Sequence, residues 1–304
     1  VVPRGHRWKS FIPGGGTGRS FTNEYGYVGV SVVQDELMME GMNEKGLSAG
    51  LFYFPDYGKY EEYSEANYET NISDFQLVSY ILGRCATVDE VKAEIARVHI
   101  HGFDPRSSTV HWRFAEPSGR QIVLEIIDGK CVFYENSLGV LTNSPSFDWQ
   151  LTNLNNYVNL LPGRTEPHTL GNMSLSSFGG GSAMIGLPGD FTPPSRFVRA
   201  AFFQSTAQQK PDAEGSVFTA FHILGSMEIP IGAQFPVDET PADIPSATQC
   251  TCVTDMSGLR FYYRSMYDGG IRCIDLKEID FKKIGLKSEP LVPSKKEFVH
   301  HIRF

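Results

Sequence analysis

Residues 109–116, 121–127 and 131–135 form three strand-like runs separated only by a Pro-Ser-Gly turn and an Asp-Gly turn. No other feature constrains the fold as much, because connections this short join antiparallel neighbours. A meander is therefore expected here. Two further sets of strands flank it. Residues 27–33 alternate and are rich in valine, a second strand ends near Met42, and the turn Asn43-Glu-Lys-Gly46 leads into a third at 47–54. Residues 248–256, 259–266 and 271–276 read as a final set.

Helical periodicity fills the gaps. Ser73 and Gln76 make a capping-box pattern ahead of Phe75, Leu77, Val78 and Ile81, and Thr87 and Glu90 repeat it ahead of Val91, Ile95 and Val98. A short break at Cys85-Ala86 separates these two helices. Residues 139–142 are expected as a strand delivering Asn143 at its end, with helices at 148–158 and 216–227. Strands, helices, strands, then helices and strands again predict an α+β protein, with antiparallel sheets covered by helices.

Composition excludes several functions. A net charge of −8 argues against a nucleic-acid partner, since phosphate neutralisation needs clustered cations. No apolar run approaches a membrane span, and no signal peptide is legible at this start. The five cysteines, Cys85, Cys131, Cys250, Cys252 and Cys273, are few and odd in number, which argues against a disulfide scaffold, and the Cys250–Cys252 pair reads as buried reduced thiols. Cys250 and Cys252 share a strand face, but no second pair follows at ligand spacing, so neither a metal nor another cofactor is expected. The eight histidines form no triad, and His111 on a strand and His222 on a helix read as core or groove residues. The glycine-rich stretch at 13–20 lacks the glycine-lysine-Ser/Thr ending of a phosphate loop and reads as a mobile loop.

Two positions carry candidate chemistry. The run Ile185-Gly-Leu-Pro-Gly-Asp-Phe-Thr-Pro-Pro-Ser-Arg196 forces an irregular turn, and Phe197, Ala200 and Ala201 then recur at helical spacing. Thr192 or Ser195 could cap that helix, with Pro193 or Pro194 in its first turn. Arg196 thus starts a helix behind a rigid loop, where its guanidinium is either aimed or simply solvated. Asn143, in Thr-Asn143-Ser-Pro145, is either a turn former or a side-chain N–H donor to an oxyanion. Phe52, Tyr53 and Phe54 read as a buried strand or as an apolar substrate wall.

The same segments carry a resemblance. The run ending at Arg196, the turn Gly41-Met-Asn-Glu-Lys-Gly-Leu47, and the block Gly139-Val-Leu-Thr-Asn143-Ser-Pro145 with Phe147-Asp-Trp and Asn153-Leu-Asn-Asn-Tyr157 resemble, in order, the choloylglycine hydrolase family. Ser108-Thr-Val-His-Trp112 and Phe221-His-Ile-Leu224 resemble further family segments. That family comprises bile salt hydrolases and penicillin V acylases of the N-terminal-nucleophile type. The resemblance implies one domain over 1–304 with a four-layer αββα sandwich, Asn143 as oxyanion donor and Arg196 beside the nucleophile. It also implies that a loop at about 160–183 projects to neighbouring subunits of a homotetramer.

The family's nucleophile is a Cys at the start of the mature chain, whose α-amine serves as base, with an Arg and an Asp downstream. Residue 1 here is valine, so that strand pair is expected upstream of Val1, although Val-Pro-Arg-Gly-His also resembles a protease-tag remnant. The expected reaction is cleavage of glycine- or taurine-conjugated bile acids, in a bacterial cytoplasm or periplasm. Where many bile salt hydrolases carry an Asn after Ala-Gly-Leu, this chain has Phe52 and Tyr53, and penicillin V acylases often have Tyr at that place. Penicillin V acylase is therefore the alternative activity, and an inactive binding homologue is the alternative of another class.

Overall fold

Each set of strands expected from the sequence forms, in a computed structural model that describes residues 1–12, 16–32, 34–104, 108–239, 246–291, 296–299, 301 and 302. A hairpin of β1 (Arg7–Phe11) and β2 (Thr17–Thr22) comes first, then β3 (Tyr27–Ser31), β4 (Met38–Asn43) and β5 (Ser48–Tyr53). Next are β6 (Asn71–Ser73), α1 (Leu77–Arg84), α2 (Val88–Ile95) and β7 (His99–His101). The meander is β8 (Val110–Ala115), β9 (Gln121–Ile127) and β10 (Lys130–Glu135), followed by α3 (Phe147–Asn153). A small hairpin, β11 (His168–Leu170) and β12 (Met173–Leu175), precedes α4 (Pro193–Thr206) and α5 (Ala213–Gly225). The described elements end with β13 (Cys250–Asp255), β14 (Arg260–Ser265), β15 (Arg272–Asp275) and a 3-10 turn, Leu276–Glu278. Residues 13–15, Val33 and His300, which the sequence reading touched, lie outside the described residues.

Two antiparallel sheets organise the molecule. The larger runs β10-β9-β8-β5-β4-β3, and its two meanders join where β5 pairs β8, from Ser48 opposite Ala115 to Tyr53 opposite Val110. Strand alternation sends Leu47, Ala49, Leu51, Trp112, Phe114, Ile122 and Leu124 to one face, under Leu77, Val78, Ile81, Val88 and Val91 of α1 and α2. Gly41 allows this approach, since a Cβ there would meet Leu82 of α1 at 2.8 Å. The opposite face places Val28 and Met42 against Phe261 of the three-stranded sheet β13-β14-β15, with Leu276 and Phe281 beside them. Beyond the smaller sheet, Val217 and Phe221 of α5 pack on Tyr262. The order helix, sheet, sheet, helix is the expected four-layer sandwich.

Several local expectations differ from the structure. Residues 139–142 are irregular rather than a strand: Gly139 has φ +73°, outside the β region, and its N–H bonds to the Asn136 side chain. Ser73 does not cap α1. Its hydroxyl bonds to Asp74, whose Oδ1 takes the Phe75 and Phe103 N–H groups at 2.8 Å, while Gln76 Oε1 accepts from Ser10 and from the Phe11 N–H. The Thr87–Glu90 pattern does cap α2, with Thr87 Oγ1 accepting the Glu90 N–H at 3.2 Å. The β1–β2 hairpin was not anticipated, because its inward side mixes Trp8 and Phe21 with Ser10 and so lacks an apolar alternation. All five cysteines are free; Cys250 and Cys252 are half-buried rather than buried, Cys85 is buried, and Cys131 and Cys273 are exposed. His222 is likewise exposed on α5, not a core residue.

Candidate active site

Asn143 and Arg196 stand 53 residues apart in the chain, and the fold brings them into contact. Arg196 Nη2 donates to Asn143 Oδ1 at 2.7 Å, and Arg196 Nε donates to the Phe191 carbonyl at 3.0 Å. Asn143 Nδ2 in turn donates to the Tyr53 carbonyl, at the end of β5, at 2.8 Å. The amide is thus held at both ends and oriented by a cation. Its second N–H has no protein acceptor among the described residues. A guanidinium pulling on Oδ1 polarises the amide and makes that free N–H a better donor.

The loop before α4 aims Arg196. Thr192 is the N-cap and Pro193 takes the first helical position, but Thr192 spends its hydroxyl on Asp190 instead of on the helix. Asp190 also accepts from Ser195 Oγ at 2.7 Å and from the Thr192 N–H at 2.9 Å, and these bonds hold its carboxyl down at about 2. Arg199, one turn further on, was passed over by the sequence reading. It is buried and donates to the Pro188 carbonyl at 2.8 Å and the Asp190 carbonyl at 2.6 Å, which locks the turn from beneath. Nothing in its type or spacing distinguished it from a surface arginine. Burial, then the neighbouring Arg199 charge, lower the Arg196 guanidinium from its ordinary value, yet a guanidinium remains charged in proteins.

The segment carrying Asn143 is fixed from the other side. Ser144 Oγ donates to the Pro55 carbonyl at 2.6 Å, the Ser144–Pro145 bond is cis, and Thr142 Oγ1 donates to the Pro193 carbonyl at 3.1 Å. Residues 52–54 separate in role. Phe54 has no exposed surface and stacks on the His111 ring at 4.5 Å, so it offers no wall to a ligand. Phe52 is half-buried and Tyr53 is half-exposed, next to the carbonyl that holds Asn143.

None of the five cysteines bonds to Asn143 or Arg196. Cys85 ends α1, where burial pushes its thiol up to about 12, which removes the thiolate needed for attack. Cys250 and Cys252 lie on β13 as free thiols hydrogen-bonded to each other, which lowers the first and raises the second. Two described cavities, of about 380 Å³ around Cys250 and Arg264 and about 620 Å³ around Lys9 and Arg19, include neither Asn143 nor Arg196 in their walls. Among the described residues no helix is long and apolar enough to cross a membrane, and no three His, Cys, Asp or Glu side chains gather as metal ligands.

Comparison with known proteins gives one consistent result. The family of linear amide C–N hydrolases, choloylglycine hydrolase family, matches residues 2–289. The chain is 33% identical over 267 residues to the bile salt hydrolase/transferase of Clostridium perfringens, covering 86% of this chain and 79% of that protein. A crystal structure of a variant of conjugated bile acid hydrolase from Clostridium perfringens superposes with a TM-score of 0.82 at 29% identity, over 99% of this chain and 90% of the other. Penicillin V acylase from Agrobacterium tumefaciens gives a TM-score of 0.74 at 25% identity, over 93% and 80%.

Proposed function

Since the chain belongs to the choloylglycine hydrolase family and is an amide C–N hydrolase, we propose that it cleaves the amide joining a bile acid to glycine or taurine. The observation that carries this reading is the bonded series Arg196, Asn143, Tyr53 carbonyl. Attack on an amide carbonyl turns its oxygen into an anion, and a preorganised neutral donor backed by a fixed cation stabilises that anion without rearrangement. Asn143 supplies the donor and Arg196 the charge. Phe52 and Tyr53 line the apolar side for the steroid, and the polar leaving amine faces solvent.

The nucleophile in this reading is a Cys on a segment preceding Val1, accompanied by its Arg and Asp. The support is chemical: none of the five cysteines hydrogen-bonds Asn143 or Arg196, and four of the thiols are raised above their ordinary value, Cys85, Cys131 and Cys273 by desolvation and Cys252 by its bond to Cys250. Reading the gene upstream of Val1 checks it, and an intact gene with no such Cys would leave the inactive binding homologue as the reading. The β11–β12 hairpin serves as a subunit contact of a homotetramer. It carries Leu170 and Met173 exposed, with Phe178 just beyond. Replacing residues 166–177 by a short glycine-serine linker should reduce the assembly state measured by light scattering, and an unchanged mass would sink this assignment.

Release of glycine or taurine from conjugated bile acids, compared with penicillin V hydrolysis on one preparation of the complete enzyme, tests the substrate. We expect a higher kcat/KM for the conjugates. A second reading, penicillin V acylase, is favoured by one feature, the Phe52-Tyr53 pair in place of an asparagine. A kcat/KM for penicillin V about tenfold above that for the conjugates, about 1.4 kcal/mol of transition-state binding, would replace the first reading by this one.

A further inference from the structure

We infer that His111 and Glu125 are positioning residues for the Asn143 donor, clamping both ends of segment 143–146 from inside the larger sheet. Both side chains are fully buried, on β8 and β9 next to the paired residues Trp112 and Leu124. His111 Nε2 lies 3.1 Å from the Thr142 carbonyl, the last backbone group before Asn143. His111 Nδ1 lies 3.1 Å from Glu125 Oε1, and that same oxygen accepts the Phe147 N–H at 2.9 Å. Phe147 opens α3, so the pair holds the chain immediately before Asn143 and again where the helix begins. The His111 ring also stacks on Phe54, which follows the residue whose carbonyl holds the Asn143 amide. One imidazole therefore touches the supports of both the backbone and the side chain of Asn143.

The hydrogen-bond arithmetic is restrictive. A carbonyl only accepts, so the Nε2 proton is committed to Thr142. One further proton must then lie between Nδ1 and Glu125 Oε1, carried by either partner. Stability alone does not account for such a pair, since two apolar side chains would fill the space without the desolvation cost of burying ionisable groups. Glu125 Oε2 is moreover buried with no partner among the described residues. What a polar pair adds is direction: it fixes the Thr142–Asn143 peptide plane in a segment that has no regular secondary structure to do so.

This inference rests on the oxyanion role of Asn143, and two variants of the complete enzyme test it. His111→Gln keeps a donor near the Nε2 position, whereas His111→Phe keeps the ring and the stack but loses the donor. Loss of the clamp should lower kcat about 10- to 100-fold in His111→Phe with KM unchanged, and His111→Gln should recover most of it. Equal kcat in the two variants, or a rise in KM that accounts for the loss, would overturn the assignment. The Asn143 side-chain amide signal in ¹⁵N NMR gives a readout independent of substrate: it should shift in His111→Phe and return in His111→Gln. An unchanged amide signal in His111→Phe also overturns the clamp. A wild-type enzyme inactive on conjugates and penicillin V would defeat the proposed function, and the amide signal alone would then decide the clamp. Should His111→Phe not fold, Glu125→Gln takes its place, because it keeps an acceptor for the Phe147 N–H while removing the carboxylate from Nδ1. A lowered kcat at constant KM supports the clamp, and a wild-type kcat refutes it.

Discussion

Asn143, in irregular chain, and Asp74, at the start of the 3-10 helix Asp74–Gln76, are both polar residues, and their bonding is opposite. Asn143 keeps one N–H unspent among the described residues, a cost tolerated where a ligand completes the bonding. Replacing it by Ala in the complete enzyme should lower kcat by about 10²–10³ with little change in KM or folding. Near-normal turnover in a folded variant would leave it only the turn-forming role. Asp74 is buried with every bond made internally, and burial pushes its carboxyl from 3.8 up to about 6. Its folded value is raised, so the stability it contributes is fully present below about pH 4 and is lost as pH rises through about 6. The change is on the order of 3 kcal/mol. Asp74→Asn should flatten the dependence of unfolding free energy on pH across that window, as read by urea denaturation. An unaltered slope would show that Asp74 does not set it.

Two capping-box patterns of the same form end differently at the scale of the element. Thr87 caps α2, and the Glu90 carboxylate reaches back to the Ala86 N–H at 2.6 Å. Thr87→Ala should therefore cost about 1 kcal/mol in chemical denaturation, whereas Ser73→Ala should leave the start of α1 without this penalty. The difference was not legible locally, because Ser10 Oγ takes the Ser73 N–H and donates to Gln76 Oε1, while the Phe103 N–H donates to Asp74. A similar limit applies to residues 139–142, where apolar Val140 and Leu141 read as strand. Val140 instead packs on Phe147 and Phe197, between helices. The meander and the closing strands were legible because their turns and their two-residue alternation are local properties of the sequence.

For the whole molecule, the layer order was legible from the alternation of strand sets and helices and from the resemblance. Asn143 and Arg196 were picked out singly, from a turn context and a proline-rich run, and their contact was not. The His111–Glu125 pair was missed altogether. The placing of residues 111 and 125 on neighbouring strands follows from the meander, but the meeting of that pair with the Thr142 carbonyl depends on where an irregular segment folds back. Such placements are set by tertiary packing, which local pattern does not encode.

The central seam of the larger sheet joins β5 to β8, pairing Ser48 with Ala115, and the chain between them holds both helices of the outer layer. Closing that loop costs entropy that its own contacts, β6 on β7 and α1 on β4 and β5, offset, so the seam is a non-local pairing. Asn143 hangs from the Tyr53 carbonyl at the end of the same seam, 90 residues back along the chain. Arg196 reaches it from a proline-rich turn that Arg199 holds by the Pro188 and Asp190 carbonyls. The Arg196–Asn143–Tyr53 series therefore joins three distant stretches of chain, and it exists only when all three are in place.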